Sequence, residues 1–457
     1  MRSRLIRRAG AAAALVLALS TLTGCSPAGV SETIQQFTSY LTGEEPPQSG
    51  TAASGGESRA ASEDAVQEAA VTESVGSAAA GQESSASVSA DADSGQTEQK
   101  TTAADLGDPI QPADSLSGFA YDQLDSAIQE VYAQLYAGIS QKKKEFTIRA
   151  KDTEDIKPAL SAIMTDCPQF FWIDGNANMS GFRTLGIWRI TLNYTVEPGE
   201  IEGIQARIEE KVQEYLSLLP ENATEYDKVK TAYKYIIDTT DYSLDSEDNQ
   251  NIQSVFLNGI SVCAGYSRAF KYLMDRVGIW CGYVEGVISD TQEGHAWNVV
   301  RIGDIYTYVD TSWGDPTYGE DDTDARRLDI IYDYLCLTTE EMNRVRHVPD
   351  GIWELPECTD RTYDYYVQNG MYHEEYSSDA VSRVLWNAVD NALDVVYYKF
   401  ADESSYLSAK EALFPTDEDQ ESLLNAPIRQ RMEWDEVMSL RYYYSCSDEL
   451  WIIKIYW

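Results

Sequence analysis

Aromatic residues are spread so unevenly along this chain that they mark where a folded body can form. Of 50 Phe, Trp and Tyr residues, residues 1–115 hold only Phe37 and Tyr40, and all the others fall in 116–457. Residues 26–115 are rich in Ser, Ala, Gly, Glu and Thr, and their only basic residues are Arg59 and Lys100. Such a stretch cannot bury enough apolar surface to offset its ordering entropy, which predicts an acidic disordered segment with a span of roughly 50–60 Å. Residues 116–457 can supply a large core, and their length suits more than one domain.

The first 24 residues carry Arg2, Arg4, Arg7 and Arg8 and no acid, followed by the apolar run Ala11–Leu19. A basic start and a short apolar core are the layout of a secretory signal, too short to span a bilayer stably. The run ends in Leu22-Thr23-Gly24-Cys25, which resembles the lipobox of bacterial lipoproteins. That resemblance implies lipidation of Cys25, which would become the mature N-terminus. Residues 25–115 would then tether the folded part to the extracytoplasmic face of the cell membrane. The formal charge of −40, from 35 Lys+Arg against 75 Asp+Glu, argues against nucleic acid as a partner, because that affinity rests on basic side chains.

Three sections are legible beyond the tether. The first, 116–220, predicts a helix over Tyr121–Ile139, a strand over Glu145–Arg149, a helix over Thr153–Met164 and a strand over Trp188–Thr195. The last, 351–457, predicts a helix over Asp379–Leu393, a strand over Val395–Phe400, a helix over Tyr406–Leu413, and strands over Arg441–Ser445 and Leu450–Tyr456. The flanks thus share an order, as two copies or analogues of one small α+β module would. Chance gives the same order in many α+β chains, and the strand order within each sheet separates the two readings. The middle section, 221–350, opens with a helix over Glu225–Asp238 that Asn222 or Thr224 could cap.

The middle section also holds the residues with chemical potential. Cys263 precedes Ala269, Phe270, Leu273, Met274 and Val277 at helical spacing, and Gly278 sits where a left-handed helix end belongs. This reads as a buried helix with Cys263 in its first turn, where free N–H groups and the helix dipole favour a thiolate and can stabilise an oxyanion. A strand over Ile279–Ile288 follows, then His295–Ile302, the turn Gly303-Asp304 and Ile305–Asp310, a hairpin pattern. If Ile302 faces Ile305, His295 faces Ser312 and Asp310 lies on the same face, about 7–8 Å away diagonally. The spacing predicts a carboxylate that orients an imidazole, with a cysteine nucleophile completing the set.

The remaining motifs carry less. His347 and His373 show no partner pattern, and no paired Cys or His spacing suggests a metal, so neither a metal nor a cofactor is expected. Setting Cys25 and Cys263 aside, Cys167, Cys281, Cys336, Cys358 and Cys446 are odd in number, and no disulfide is expected. Asp315, Glu320, Asp321, Asp322 and Asp324 match no calcium-loop spacing and read as a solvated loop.

Cys263-Ala264-Gly265-Tyr266-Ser267, Gly294-His295-Ala296-Trp297-Asn298 and Tyr308-Val309-Asp310-Thr311-Ser312-Trp313 resemble, in order and spacing, three motifs of the bacterial transglutaminase-like superfamily. The resemblance covers about 225–320. It implies an α+β fold with a papain-like core, in which a cysteine at a helix start faces an antiparallel sheet bearing histidine and aspartate. It carries Cys263 over as nucleophile, His295 as general base and acid, and Asp310 as orienter, with reaction at amide carbonyls through a thioester. Gln253 is the candidate further oxyanion donor, and Tyr266, Trp297 and Trp313 are candidates to line the cleft. The outcome is open between protease or amidase and protein cross-linking, and the expected substrates are proteins or cell-wall peptides. The chain is expected to act as a monomer. A catalytically inactive surface-binding protein on the same fold is the alternative.

Overall fold

The computed structural model describes residues 71–75, 106–246, 248–316, 330–417, 420–434 and 442–456. The signal-like start, Cys25 and most of the acidic segment lie outside those residues, as do Glu320, Asp321, Asp322 and Asp324. One stretch of the acidic segment departs from the expected disorder: strand β1, Val71–Val75, pairs antiparallel with Ala177–Gly181. Strand addition rests on backbone hydrogen bonds at a sheet edge and so does not need the apolar side chains this segment lacks.

The fold is α+β. In the first flank, α1 (Ser126–Ser140) is capped by Asp125, whose carboxylate accepts from the N–H groups of Ala127 and Ile128. After it come β2 (Glu145–Arg149), α2 (Thr153–Asp166), β3 (Ile173–Phe182), β4 (Ile187–Tyr194) and α3 (Ile201–Leu218). The middle section runs α4 (Glu225–Thr239), β5 (Asp241–Tyr242), β6 (Ile260–Ser261), α5 (Cys263–Arg276), β7 (Cys281–Ile288), β8 (Gly294–Ile302) and β9 (Ile305–Val309). It closes with β10 (Leu335–Leu337), α6 (Thr339–Arg344) and β11 (His347–Pro349). Thr224, not Asn222, caps α4, in a capping box with Asp227.

The central sheet is antiparallel, in the order β10-β9-β8-β7-β11. The two-residue Gly303-Asp304 loop sets Ile302 opposite Ile305 and carries that register to Asn298 opposite Val309, as the hairpin spacing requires. Helix α5 lies against β8. Ser267 Oγ donates to Ala296 O at 2.9 Å, and Asn298 Nδ2 donates to Ser267 O at 3.0 Å, so one turn of α5 is pinned to the strand that bears His295. Gly265 allows this helix start to sit tightly, since a Cβ there would come within 2.0 Å of Ser261 Oγ. First flank and middle section share one apolar core, through Trp172, Trp188, Tyr233 and Phe270 among others.

Residues 351–373 pack with the middle section: Tyr365 stacks on Tyr332 at 4.1 Å, and Tyr366 donates its hydroxyl hydrogen to Asp333 at 2.5 Å. The compact C-terminal unit begins at Glu374, not at 351. It comprises α7 (Ser378–Asp390), β12 (Val395–Phe400), α8 (Glu403–Leu413), α9 (Asn425–Trp434), β13 (Tyr443–Ser447) and β14 (Ile452–Tyr456) around its own core of Val381, Leu385, Tyr398 and Ile453.

Three strands in each flank share an order, although β1, the fourth strand of the first sheet, has no counterpart beside β13 among the described residues. In each, the strand after the first helix (β2, β12) pairs with the last strand (β4, β14), which pairs on its other side with the middle strand (β3, β13). The registers correspond pair for pair: Glu145↔Thr191 with Val395↔Tyr456, Arg149↔Ile187 with Lys399↔Ile452, and Phe182↔Ile187 with Ser447↔Ile452. Helix ends correspond as well. Lys142 and Ala392, at φ 55 and 53, follow α1 and α7, and Asp152 and Asp402 cap α2 and α8. Left-handed residues, Gly186 at φ 58 and Trp451 at φ 56, close the turn into the last strand. Among the described residues, no helix is long and apolar enough to cross a membrane.

Candidate active site

Cys263 is the first residue of α5, whose N-cap Val262 offers no side-chain bond, so the backbone N–H groups of the first turn stay available. The thiol is half-buried, with Val262, Ala264, Tyr283 and Ala296 packed around it. The Cys263 sulfur lies close enough to the His295 ring to favour its protonated form. On its far side the ring meets Asp310, with Nε2 at 2.6 Å from Oδ2. The hairpin thus brings together the three residues that the sequence singled out. Each has its own support: a helix start, a central strand, and the chain just past β9, where Asp310 N donates to Tyr334 O at 3.0 Å.

Asp310 is fully buried and saturated with donors. Oδ1 accepts from Ser312 Oγ at 2.8 Å and from Trp313 N at 3.0 Å, while Oδ2 faces Nε2 of His295 and, at 2.9 Å, Nε2 of His347. Burial alone would raise the Asp310 carboxyl. The His295 charge and hydrogen bond, with those of His347, outweigh it and hold Asp310 well below the ordinary carboxylate range. For His295, burial favours the neutral ring. The charge and hydrogen bond of Asp310, then those of Cys263, override it and lift the imidazole from 6.5 to about 10.

Two residues of the site carry no signal in the sequence. Tyr242, at the end of β5, reaches Cys263 because β5 pairs in parallel with β6, placing Tyr242 beside Ser261. Its hydroxyl lies close enough to the Cys263 backbone and side chain to feel both. Burial and the charge of the nearby sulfur push this phenol up. A two-residue strand has no periodicity to read. His347 was set aside in the sequence for want of a partner pattern, yet it is fully buried on Asp310. It stands on edge strand β11, paired with β7, and that sheet order is not sequential.

The other candidates fall elsewhere. Gln253 is buried, its N–H bonds Asn251 Oδ1 at 2.9 Å, and its Nε2 has no partner among the described residues. No hydrogen bond joins Gln253 to Cys263 among those residues. Tyr266 is not a cleft residue: it is wholly buried, and its hydroxyl donates to Asp315 at 2.6 Å. Trp297 is likewise core, packed on the rings of His295 and His347 at 5.9 and 5.0 Å. Trp313 is half-buried and lies 5.7 Å from the His295 ring. The described cysteines, Cys167, Cys263, Cys281, Cys336, Cys358 and Cys446, are free thiols. His295, Asp310 and His347 gather one potential ligand atom each within 4.8 Å, closer than their scatter in the sequence suggests, and those atoms are engaged with one another as hydrogen-bond partners.

Residues 217–314 match the transglutaminase-like superfamily, and this part of the chain is a transglutaminase-like domain. Kyphoscoliosis peptidase of Mus musculus is 23% identical over 188 residues, 37% of this chain and 28% of that protein. The Homo sapiens protein of the same name is 24% identical over 174 residues, 34% of this chain and 26% of its own. The chain therefore spans about a quarter of the length of these curated relatives. A crystal structure described as that of a TGase covers 40% of this chain and 55% of its own, at 14% identity and a TM-score of 0.24.

Proposed function

We propose that the chain is a cysteine enzyme attacking amide carbonyls through Cys263, His295 and Asp310, and that a lipid on Cys25 holds it at the extracytoplasmic face of a membrane. The observation that carries the catalytic reading is the buried 2.6 Å contact between His295 and Asp310, with Cys263 on the other side of the ring. The anchor rests on the basic start, apolar run and lipobox-like Leu22–Cys25.

In this mechanism the Cys263 sulfur forms a bond to the carbonyl carbon. The carbonyl π pair moves to oxygen, and the oxyanion accepts from the Cys263 N–H and from the hydroxyl of Tyr242, which lies beside Cys263. The oxyanion collapses, the carbon–nitrogen bond breaks, and His295 gives its proton to the leaving amine. Water, deprotonated by the now neutral His295, then attacks the thioester and releases acid and thiolate. An amine in place of water would give a cross-link. Hydrolysis is the favoured outcome, because an enzyme outside the cell meets abundant water and nothing in the site marks an amine. The substrate class is a surface protein or cell-wall peptide.

The test incubates wild type and Cys263→Ala with surface-protein extract and scores cleavage fragments and cross-linked bands in one gel. Fragments or cross-linked bands with wild type only are expected. Identical patterns from both proteins refute the catalytic reading. Labelled fatty acid supplied to cells making the full chain should mark wild type and not Cys25→Ser; equal labelling refutes the anchor.

A further inference from the structure

We infer that His347 is a positioning residue of this site, a second histidine that holds the Asp310 carboxylate in line with His295. The inference rests on the reading of Cys263, His295 and Asp310 as catalytic.

The geometry is specific. His347 Nε2 lies 2.9 Å from Asp310 Oδ2, the same oxygen that faces His295 Nε2 at 2.6 Å. A carboxylate oxygen has two lone pairs, and here both are aimed at imidazoles. The other nitrogen of His347, Nδ1, lies 3.1 Å from the carbonyl oxygen of Val345. Both of its nitrogens therefore face acceptors, and both contacts are hydrogen bonds only when each nitrogen carries hydrogen. Asp310 is thereby gripped from opposite parts of the chain: Ser312 and Trp313 from its own turn, and His347 from an edge strand 37 residues on.

Backbone and packing both hold the ring there. Arg346, between Val345, whose carbonyl accepts, and His347, adopts a left-handed φ of 66, and its guanidinium turns out to Asp290 at 2.8 Å. Strand β11 can approach β7 closely at Gly286, where a Cβ would come within 2.2 Å of Val348 O and 2.8 Å of the Trp297 ring. Trp313 and Trp297 pack edge-to-face on the His347 ring at 4.5 and 5.0 Å. Water is excluded, since His347 and Asp310 are both fully buried. The ionisable groups facing His347 are Asp310 and, across it, His295.

Without this grip, Oδ1 stays held by Ser312 and Trp313, but Oδ2 keeps only the His295 donor and can swing out of line with that ring. His295 would then lose the fixed direction that aims its other nitrogen at the Cys263 sulfur. The expected signature lies in the chemistry of Cys263, with substrate binding little changed.

The test measures iodoacetamide alkylation of Cys263, followed by mass spectrometry on the full chain, in wild type, His347→Leu and His347→Gln. The Gln side chain can offer its Nε2 hydrogen to Asp310, and Leu cannot. Alkylation at pH 7 should slow about tenfold in His347→Leu and return to within about threefold of wild type in His347→Gln, the scale of one or two lost hydrogen bonds to a charged group. Rates equal to wild type in His347→Leu overturn the inference, and so does an equal loss in both variants, which would mean packing and not donation. Because His347→Leu can fail to fold, 15N-histidine NMR of wild type supplies an independent reading. A protonated His347 Nε2 supports the inference, and an unprotonated one overturns it. A wild-type Cys263 no faster than a simple thiol would defeat the catalytic reading itself, which keeps the two failures distinct.

Discussion

Replacing Asp310 with Asn tests the electrostatic centre of the site most directly. The carboxylate does two things at once. It fixes the ring of His295 by the 2.6 Å contact, and with Cys263 it lifts that imidazole from 6.5 to about 10. That lift corresponds to about 5 kcal/mol of preference for the protonated ring, shared between the two partners. An Asn retains the volume but not the charge, and its amide would face at least one ring with a donor instead of an acceptor. If Asp310 supplies more than half of the lift, about 3 kcal/mol is lost, which is roughly a hundredfold or more in the proton affinity of His295 and moves the alkaline limb of kcat down by about two pH units. KM should change little, because Asp310 is buried and cannot touch substrate. The assay needs no known substrate. Cys263 alkylation is followed from pH 5 to 10. Asp310→Asn should react more slowly than wild type across neutral pH, because His295 loses its direction. Circular dichroism confirms that the variant is folded. A folded Asp310→Asn protein with the wild-type profile would refute the reasoning, since His295 would then owe neither its direction nor its charge to Asp310.

Other outcomes follow from neighbouring parts of the structure. Tyr242→Phe removes one of two oxyanion donors and should lower kcat by about a hundredfold with KM nearly unchanged, as read by steady-state kinetics on a cleaved peptide. Activity should fall on the alkaline side near pH 10, where His295 loses the proton that the leaving amine requires; a fall centred near 6.5 would mean that Asp310 and Cys263 do not hold it. The same pair bears on stability. His295 is lifted above its unfolded value, so its contribution is complete below about pH 6.5 and is lost as pH rises through about 10, visible as a falling melting temperature. Gly265→Ala forces a Cβ to within 2.0 Å of Ser261 Oγ and should cost about 1–3 kcal/mol, measured by urea unfolding.

How legible each part was depends on the range of the interaction behind it. Helix α5 and the β8–β9 hairpin are local: apolar periodicity, one left-handed glycine at Gly278 and a two-residue turn determine them, so the His295–Asp310 pairing could be counted out along the chain. Strands β2 and β12 lie where their β-branched and aromatic runs placed them. Helix α3 went unread because only Ile201, Ile208, Val212 and Tyr215 of its 18 residues are buried. Strand β3, with Gly175, Gly181 and three Asn or Asp residues, has little strand propensity and is held by pairing on both sides. Tyr242 and His347 depend on which strands become neighbours, a tertiary property that no local pattern encodes. Gln253 lies ahead of Cys263 in sequence, a placement that fixes no direction for its side chain.

The matching registers of the two flanks also bear on how the chain avoids folding wrongly. A segment able to hydrogen-bond along β3, as β1 does, meets at β13 a strand that presents its backbone in the same register, at a sheet edge with Tyr443 and Tyr444 exposed. Two such edges in one chain invite exchange between copies, the hazard that repeated modules carry during synthesis. The order of the sequence works against it. The edge that β1 covers is complete once β4 has been made, and more than 200 residues of chain separate it from β13. Emerging last, β13 and β14 find the earlier edge already taken.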